Sequence, residues 1–402
     1  MSGRFSGAAF GARGSIWSAV CRTSARPGGR CFSTSSSRQA THVVSFTETS
    51  SPQLDDVLAE IRTKIILPSY IRIEQRKKLY DARYKKKLEV DPVTMELDGQ
   101  ILKFYYTDPV REMPNTRELL LRAVNQMKTP QDWENLPRLL EGVCGQAGRK
   151  LEYYDYPRLI RKAALHGCLR TIFVCIRQVK RTHFRLGSSE TVNELLSWVQ
   201  KQAIDSGRER AATEEALAWT ERIILSLEDE AHHPVRKRGD EGKDPKSYPL
   251  CRDPQILAAR LHMASALALL PPPASDGAED GESAATQRRQ EDDEARRRKV
   301  TKYTREIVAL WPEGKGLMEL HTPEAYQTRG ELRYLLDSNE FLWYAAPVLK
   351  GLETAAQVVE PALAEELQKR IAPLREEIDA ALADENRVKG RRGEQMYNDL
   401  FA

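Results

Sequence analysis

The sequence predicts a mainly α-helical protein of stacked antiparallel helix hairpins, a short α-solenoid, with one small β-hairpin near the N-terminus. Three observations carry that prediction. First, Tyr156, Leu159, Ile160, Ala163 and Ala164 fall at i, i+3, i+4, i+7 and i+8, lining one face of a helix that Gly167 ends. Second, Leu169, Ile172, Phe173, Ile176 and Val179 line a following helix, and after Gly187-Ser188-Ser189 the first pattern returns as Val192, Leu195, Leu196, Val199 and Ala203. The pairs Leu159-Ile160 and Leu195-Leu196 stand 36 residues apart, the size of one two-helix repeat. Third, the one clear β signal is Asp98-Gly99, which closes a two-residue hairpin.

From the N-terminus, residues 1–40 carry six arginines (Arg4, Arg13, Arg22, Arg26, Arg30, Arg38), nine serines and no acid. That is the composition of a mitochondrial transit peptide. Taking those six from the 62 basic residues leaves 56 against 58 acids, a net charge of −2 for the remainder. An indiscriminate polycation is thereby excluded. The charge is uneven, however: residues 62–88 hold ten Lys and Arg against two acids, residues 138–185 hold eleven against three, and residues 186–402 hold 30 against 40. Contact with RNA is therefore expected from the N-terminal half, and contact with protein partners from the acidic C-terminal half.

Residues 41–53 are rich in Ser and Thr and read as unfolded. Leu54, Val57, Leu58, Ile61 and Ile65 mark a helix that Pro68 stops or kinks. A second helix is expected from Ile71 through Lys87, with Tyr80 and Tyr84 among its cations. Phosphates and bases are its expected ligands, through Arg72, Arg76, Lys77, Lys78, Lys85, Lys86 and Lys87. In the hairpin Val93 should face Phe104 and Met95 should face Leu102, so that Val93, Met95, Leu97, Leu102 and Phe104 share a face that packs on neighbouring helices. Residues 41–114 thus form a basic helical arm with its hairpin.

Residues 115–230 form the repeat core. Asn115-Thr116 caps a helix bearing Leu119, Leu120, Ala123, Val124 and Met127, with a partner bearing Trp133, Leu136, Leu139, Leu140 and Val143. Leu119-Leu120 precedes Leu159-Ile160 by 40 residues, and a helix with Ala216, Leu217, Thr220, Ile223, Ile224 and Leu227 completes a third hairpin. Residues 231–330 form a helical extension: a charged loop over 232–249, an apolar helix over 256–270, an acidic insert over 274–293 expected to be disordered, and a helix through Tyr303, Ile307 and Trp311. Residues 331–402 are a last helical region, with Met396, Tyr397, Leu400 and Phe401 on a tail expected to be a free docking peptide.

Tyr156-Pro157-Arg158-Leu159-Ile160 through Ala164-Leu165-His166-Gly167, followed by the helix over 169–180, resembles a pentatricopeptide repeat of a fungal mitochondrial protein. The resemblance extends loosely over 116–228 and implies a scaffold for RNA or protein docking. It departs from base-reading repeats in placing Arg158 and Glu194 where such repeats carry a small polar side chain. Around this unit Arg158, Arg161, Lys162, Arg170, Arg177, Lys180 and Arg181 are the expected phosphate contacts.

No chemistry is expected. The chain has no Gly-Lys-Ser/Thr phosphate loop, no HExxH and no GxSxG, and its cysteines form no CxxC pair, so it reads as a non-enzyme without cofactor, metal or small-molecule substrate. No apolar run is long enough to span a bilayer. The expected role is an adaptor of gene expression in the mitochondrial matrix, bound to the ribosome or a mitochondrial RNA. A protein-binding assembly factor for a respiratory-chain complex is the alternative.

Overall fold

The computed structural model describes residues 43–97, 100–233, 249–271, 282–321 and 332–401. The transit-peptide segment, the Asp98-Gly99 turn, most of the charged loop and residues 274–281 of the acidic insert lie outside them.

Residues 43–51 correct the first expectation. They run extended along the body instead of being unfolded. The Thr47 N–H and hydroxyl donate to Asn135 Oδ1 at 2.8 and 3.0 Å, and the Ser50 N–H and hydroxyl donate to the Asp132 carboxylate at 2.8 Å. A Ser/Thr-rich segment has no core of its own, so these partners more than 80 residues away supply its order. Helix α1 (Pro52–Ile61) then starts with the Ser51 hydroxyl accepting from Leu54 N–H, and buries Leu54, Val57, Leu58 and Ile61.

The expected long basic helix is two short ones, α2 (Ile73–Leu79) and α3 (Lys85–Val90). Asp81 breaks it: its carboxylate accepts from Arg83 N–H and opens a 3₁₀ turn, a local alternative that competes with the helical ladder. Strands β1 (Val93–Leu97) and β2 (Gln100–Phe104) pair in the expected register, Val93 opposite Phe104 and Met95 opposite Leu102. Val93, Met95 and Phe104 cover Ile71, Leu79 and Leu88, a satellite core beneath the arm.

The hairpins follow: α4 (Thr116–Gln126), α5 (Pro130–Trp133), α6 (Asn135–Leu140), α7 (Asp155–Leu165), α8 (Leu169–Arg177), α9 (Val179–Thr182), α10 (Ser189–Asp205) and α11 (Arg210–Ser226). Leu119-Leu120, Leu159-Ile160 and Leu195-Leu196 are all buried, and α7 packs on α4, α8 and α10. Gly167 takes φ +68° past the end of α7, the left-handed turn its position calls for. Phe173 of α8 stacks on Trp219 of α11 with ring centroids 3.6 Å apart.

Helix α12 (Pro254–Leu269) is mostly apolar with no single apolar face, and a helix of that kind has to be surrounded. It packs on α10, α11, α13 (Glu282–Leu310) and α15 (Ser338–Ala356). Its approach to α15 is close: a Cβ at Gly351 would lie 2.7 Å from the His262 Cβ. Part of the insert expected to be disordered, residues 282–293, is the start of α13, where Asp293–Arg296 and Glu294–Arg298 pairs support the helix. After α14 (Leu317–Leu320), α16 (Pro361–Leu382) and α17 (Glu385–Val388) close around α15.

The tail is a further correction. Its residues form α18 (Arg392–Phe401), which lies on α15 and buries Met396 and Leu400. The apolar side chains that looked free to dock elsewhere are docked in their own molecule. One continuous core runs from Val44 to Leu400.

Candidate RNA-contact surface

Seven predicted contact residues lie on the arm: Arg72, Arg76, Lys77 and Lys78 at α2, and Lys85, Lys86 and Lys87 in the first turn of α3. All but the half-buried Arg76 are exposed, and none of the seven forms an ion pair with a carboxylate among the described residues. Lys78 and Lys85 lie 5.9 and 5.7 Å from the ring centres of Tyr84 and Tyr106. Lys85 and Lys86 face the positive end of the α3 dipole, so their placement is locally unfavourable, whereas Lys87 also falls in the last turn of this six-residue helix. A polyanion removes that penalty and the repulsion among the seven.

The central set divides. Arg161 donates to Glu194 at 3.0 Å, Arg170 pairs with Glu215 at 3.1 Å, and Arg181 grips Glu141 through two nitrogens, the nearest contacts at 2.8 Å. These three are thus paired with carboxylates of the same chain. Two of the three acids, Glu194 and Glu215, come from outside residues 138–185, so the local charge count could not show them. Arg158, Lys162, Arg177 and Lys180 have no carboxylate partner among the described residues.

Glu194 of α10 is fully buried. It accepts from Arg392 at 2.8 and 3.0 Å, from the Tyr344 hydroxyl at 2.7 Å and from Trp198 Nε1 at 3.0 Å, besides Arg161. Burial opposes its ionisation, but Arg392 and Arg161 outweigh it and hold the carboxyl below its ordinary range. Burial pushes the Tyr344 phenol well up, and the Glu194 charge adds to that. The cluster ties α7, α10, α15 and α18 together, so the position serves the fold and faces no ligand.

Sequence reading missed the loop between α6 and α7. Arg149 and Lys150 are exposed there without carboxylate partners among the described residues, and Tyr153 and Tyr154 are 44% and 49% exposed. The two rings meet edge to face at 5.2 Å. The Arg117 guanidinium lies 4.8 Å from the Tyr154 ring centre, held by Asp155 through hydrogen bonds of 2.7 to 3.0 Å. Burial pushes the Tyr80 phenol up, and the charges of Arg149 and Arg76 act on it in the opposite sense. The signal available in the sequence was Arg149-Lys150 followed closely by Tyr153-Tyr154, cations interleaved with adjacent aromatics.

His166 is exposed, 6.0 Å from the Trp133 ring, and His183 ends α9 at φ +56°. Cys144, Cys168 and Cys175 are buried as small apolar residues, and burial pushes the Cys144 thiol up to about 12. Among the described residues no helix is long and apolar enough to cross a membrane.

The family model described as mitochondrial ribosomal protein mS27 matches residues 30–399. The small ribosomal subunit protein mS27 of Neurospora crassa is 38% identical over 373 residues, covering 92% of this chain and 91% of its own length.

Proposed function

The chain belongs to the mitochondrial ribosomal protein mS27 family, and from that premise we propose that it is a constituent of the small subunit of the mitochondrial ribosome, acting in the matrix. Members of a ribosomal structural family are not enzymes, and the work proposed is positional. The arm contacts ribosomal RNA through phosphates, and the hairpin stack holds the arm at a defined place and angle. The observation that carries the RNA contact is the set of seven arm cations without carboxylate partners among the described residues, two of them at the unfavourable end of α3. Phosphate contacts of this kind fix position without reading sequence. We assign no base reading to the hairpins, because Glu194 is buried in an ion-pair cluster. The acidic half, with a net charge of −10 over residues 186–402, faces neighbouring proteins, and residues 1–40 direct import.

The test is sedimentation of the tagged full-length chain in a mitochondrial lysate. It should travel with the small ribosomal subunit and shift to the top of the gradient after ribonuclease. Replacing all seven arm cations with glutamine should weaken that association in a salt-sensitive way. A chain that stays at the top in untreated lysate, or that sediments with a respiratory complex and ignores ribonuclease, would refute the assignment.

A further inference from the structure

We propose that the loop between α6 and α7, with the exposed face of α7, is a stacking site for unpaired bases of a single-stranded RNA segment. This deepens, and rests on, the reading that the chain contacts RNA.

Two features meet there. The first is aromatic. Tyr153 and Tyr154 are adjacent, about half exposed, and set at 80° to each other. Adjacent exposed aromatic side chains are costly in water unless something covers them, and a nucleobase offers a flat π-face that does. Tyr154 is also pre-set. Arg117 covers part of its ring, and Arg117 is gripped through two nitrogens by Asp155, whose side chain is fully buried. A ring held in place loses little freedom when a base stacks on it.

The second feature is charge. Tyr154, Arg158 and Lys162 follow one another at i, i+4 and i+8, so they line one side of α7 over roughly 12 Å. Arg149 and Lys150 stand at the other end of the same loop. These four cations lack carboxylate partners among the described residues, with only the exposed Glu152 interrupting them in the loop. In chain order the two tyrosines lie between Arg149 and Lys150 on one side and Arg158 and Lys162 on the other. Duplex RNA keeps its bases stacked on one another and could use only the cations, whereas an unpaired stretch can use both features. An acidic peptide would likewise gain nothing from the rings.

The full-length purified chain is titrated with a fluorescent 12-nucleotide oligouridine and with a 12-base-pair RNA duplex. Y153A/Y154A should weaken oligouridine binding at least about tenfold, because base stacking is removed. Its salt slope and its duplex affinity should match wild type, because every phosphate keeps its cation. Y153F/Y154F should bind as wild type does. R149Q/K150Q/R158Q/K162Q should instead flatten the slope, by about 0.7 for each phosphate that no longer meets a cation. All variants are checked for an unchanged melting temperature. Wild-type binding to both RNAs with an alanine pair within twofold of it would overturn the stacking site and leave the RNA reading standing. A wild-type chain that binds neither RNA at 50 mM salt would overturn both. Equal competition by polyglutamate, equally relieved by the alanine pair, would assign the site to acidic peptide and overturn the proposal.

Discussion

Replacing Glu194 with glutamine keeps the shape of the side chain and removes its charge. Arg392, with its side chain 18% exposed, is then deprived of its main counter-charge within the protein, since its remaining acid, Glu340, lies 3.3 Å away and is 40% exposed. Removing one partner of a buried ion pair costs about 3–5 kcal/mol. Arg161 is 40% exposed and adds at most about 1 kcal/mol, because water screens it. The compact unit spans residues 43–402, and at about 2.1 cal/mol/K per residue its unfolding entropy is near 0.76 kcal/mol/K. The expected fall in Tm for E194Q is therefore roughly 4–8 °C, measured by scanning calorimetry at pH 7. The pH dependence sharpens the test. The folded carboxyl lies below its ordinary value, so its stabilisation is complete above about pH 4.3 and is lost as pH falls through the depressed folded value. Glutamine has no such limb, so the gap between wild type and variant should close on acidification. The double variant E194Q/R392M, which removes both charges, should be more stable than the sum of the two single effects implies, by about 0.5–3 kcal/mol. A Tm within 1 °C of wild type at pH 7, with no pH dependence in the difference, would show that the cluster does not hold the four helices together.

Three further outcomes are expected. Phe173→Ala opens a core cavity and abolishes the stack on Trp219, costing about 3–5 kcal/mol; calorimetry should show it while the folded protein keeps its RNA affinity. Asp132→Ala leaves the Ser50, Lys128 and Thr129 N–H groups without their acceptor, so limited proteolysis should cut within residues 43–51 faster than in wild type. Truncation after Arg391 exposes the surface that Met396 and Leu400 cover, and should lower Tm by several degrees and promote association in light scattering; a chain unaffected on both counts would restore the free-tail reading.

Periodicity alone determined a large share of this protein. The faces marked by Leu119, Leu159, Ile172 and Leu195 are buried as their spacing required, because a helix has one apolar side to hide and 3.6 residues per turn with which to draw it. The hairpin register followed from the two residues allotted to the turn, and the basic arm from composition. What tertiary structure decided was the pairing of groups far apart in the chain. Residues 43–51 are ordered by Asp132 and Asn135, and the tail is docked because Arg392 reaches Glu194, 198 residues away. The same cause split the predicted contact residues. Arg161, Arg170 and Arg181 carry the same local signature as Arg158, Lys162 and Arg177, and only the arrival of Glu194, Glu215 and Glu141 from other helices separates them. Charge is a property of the residue, but whether it is compensated depends on which neighbours folding brings within about 4 Å, and a linear sequence does not contain those distances.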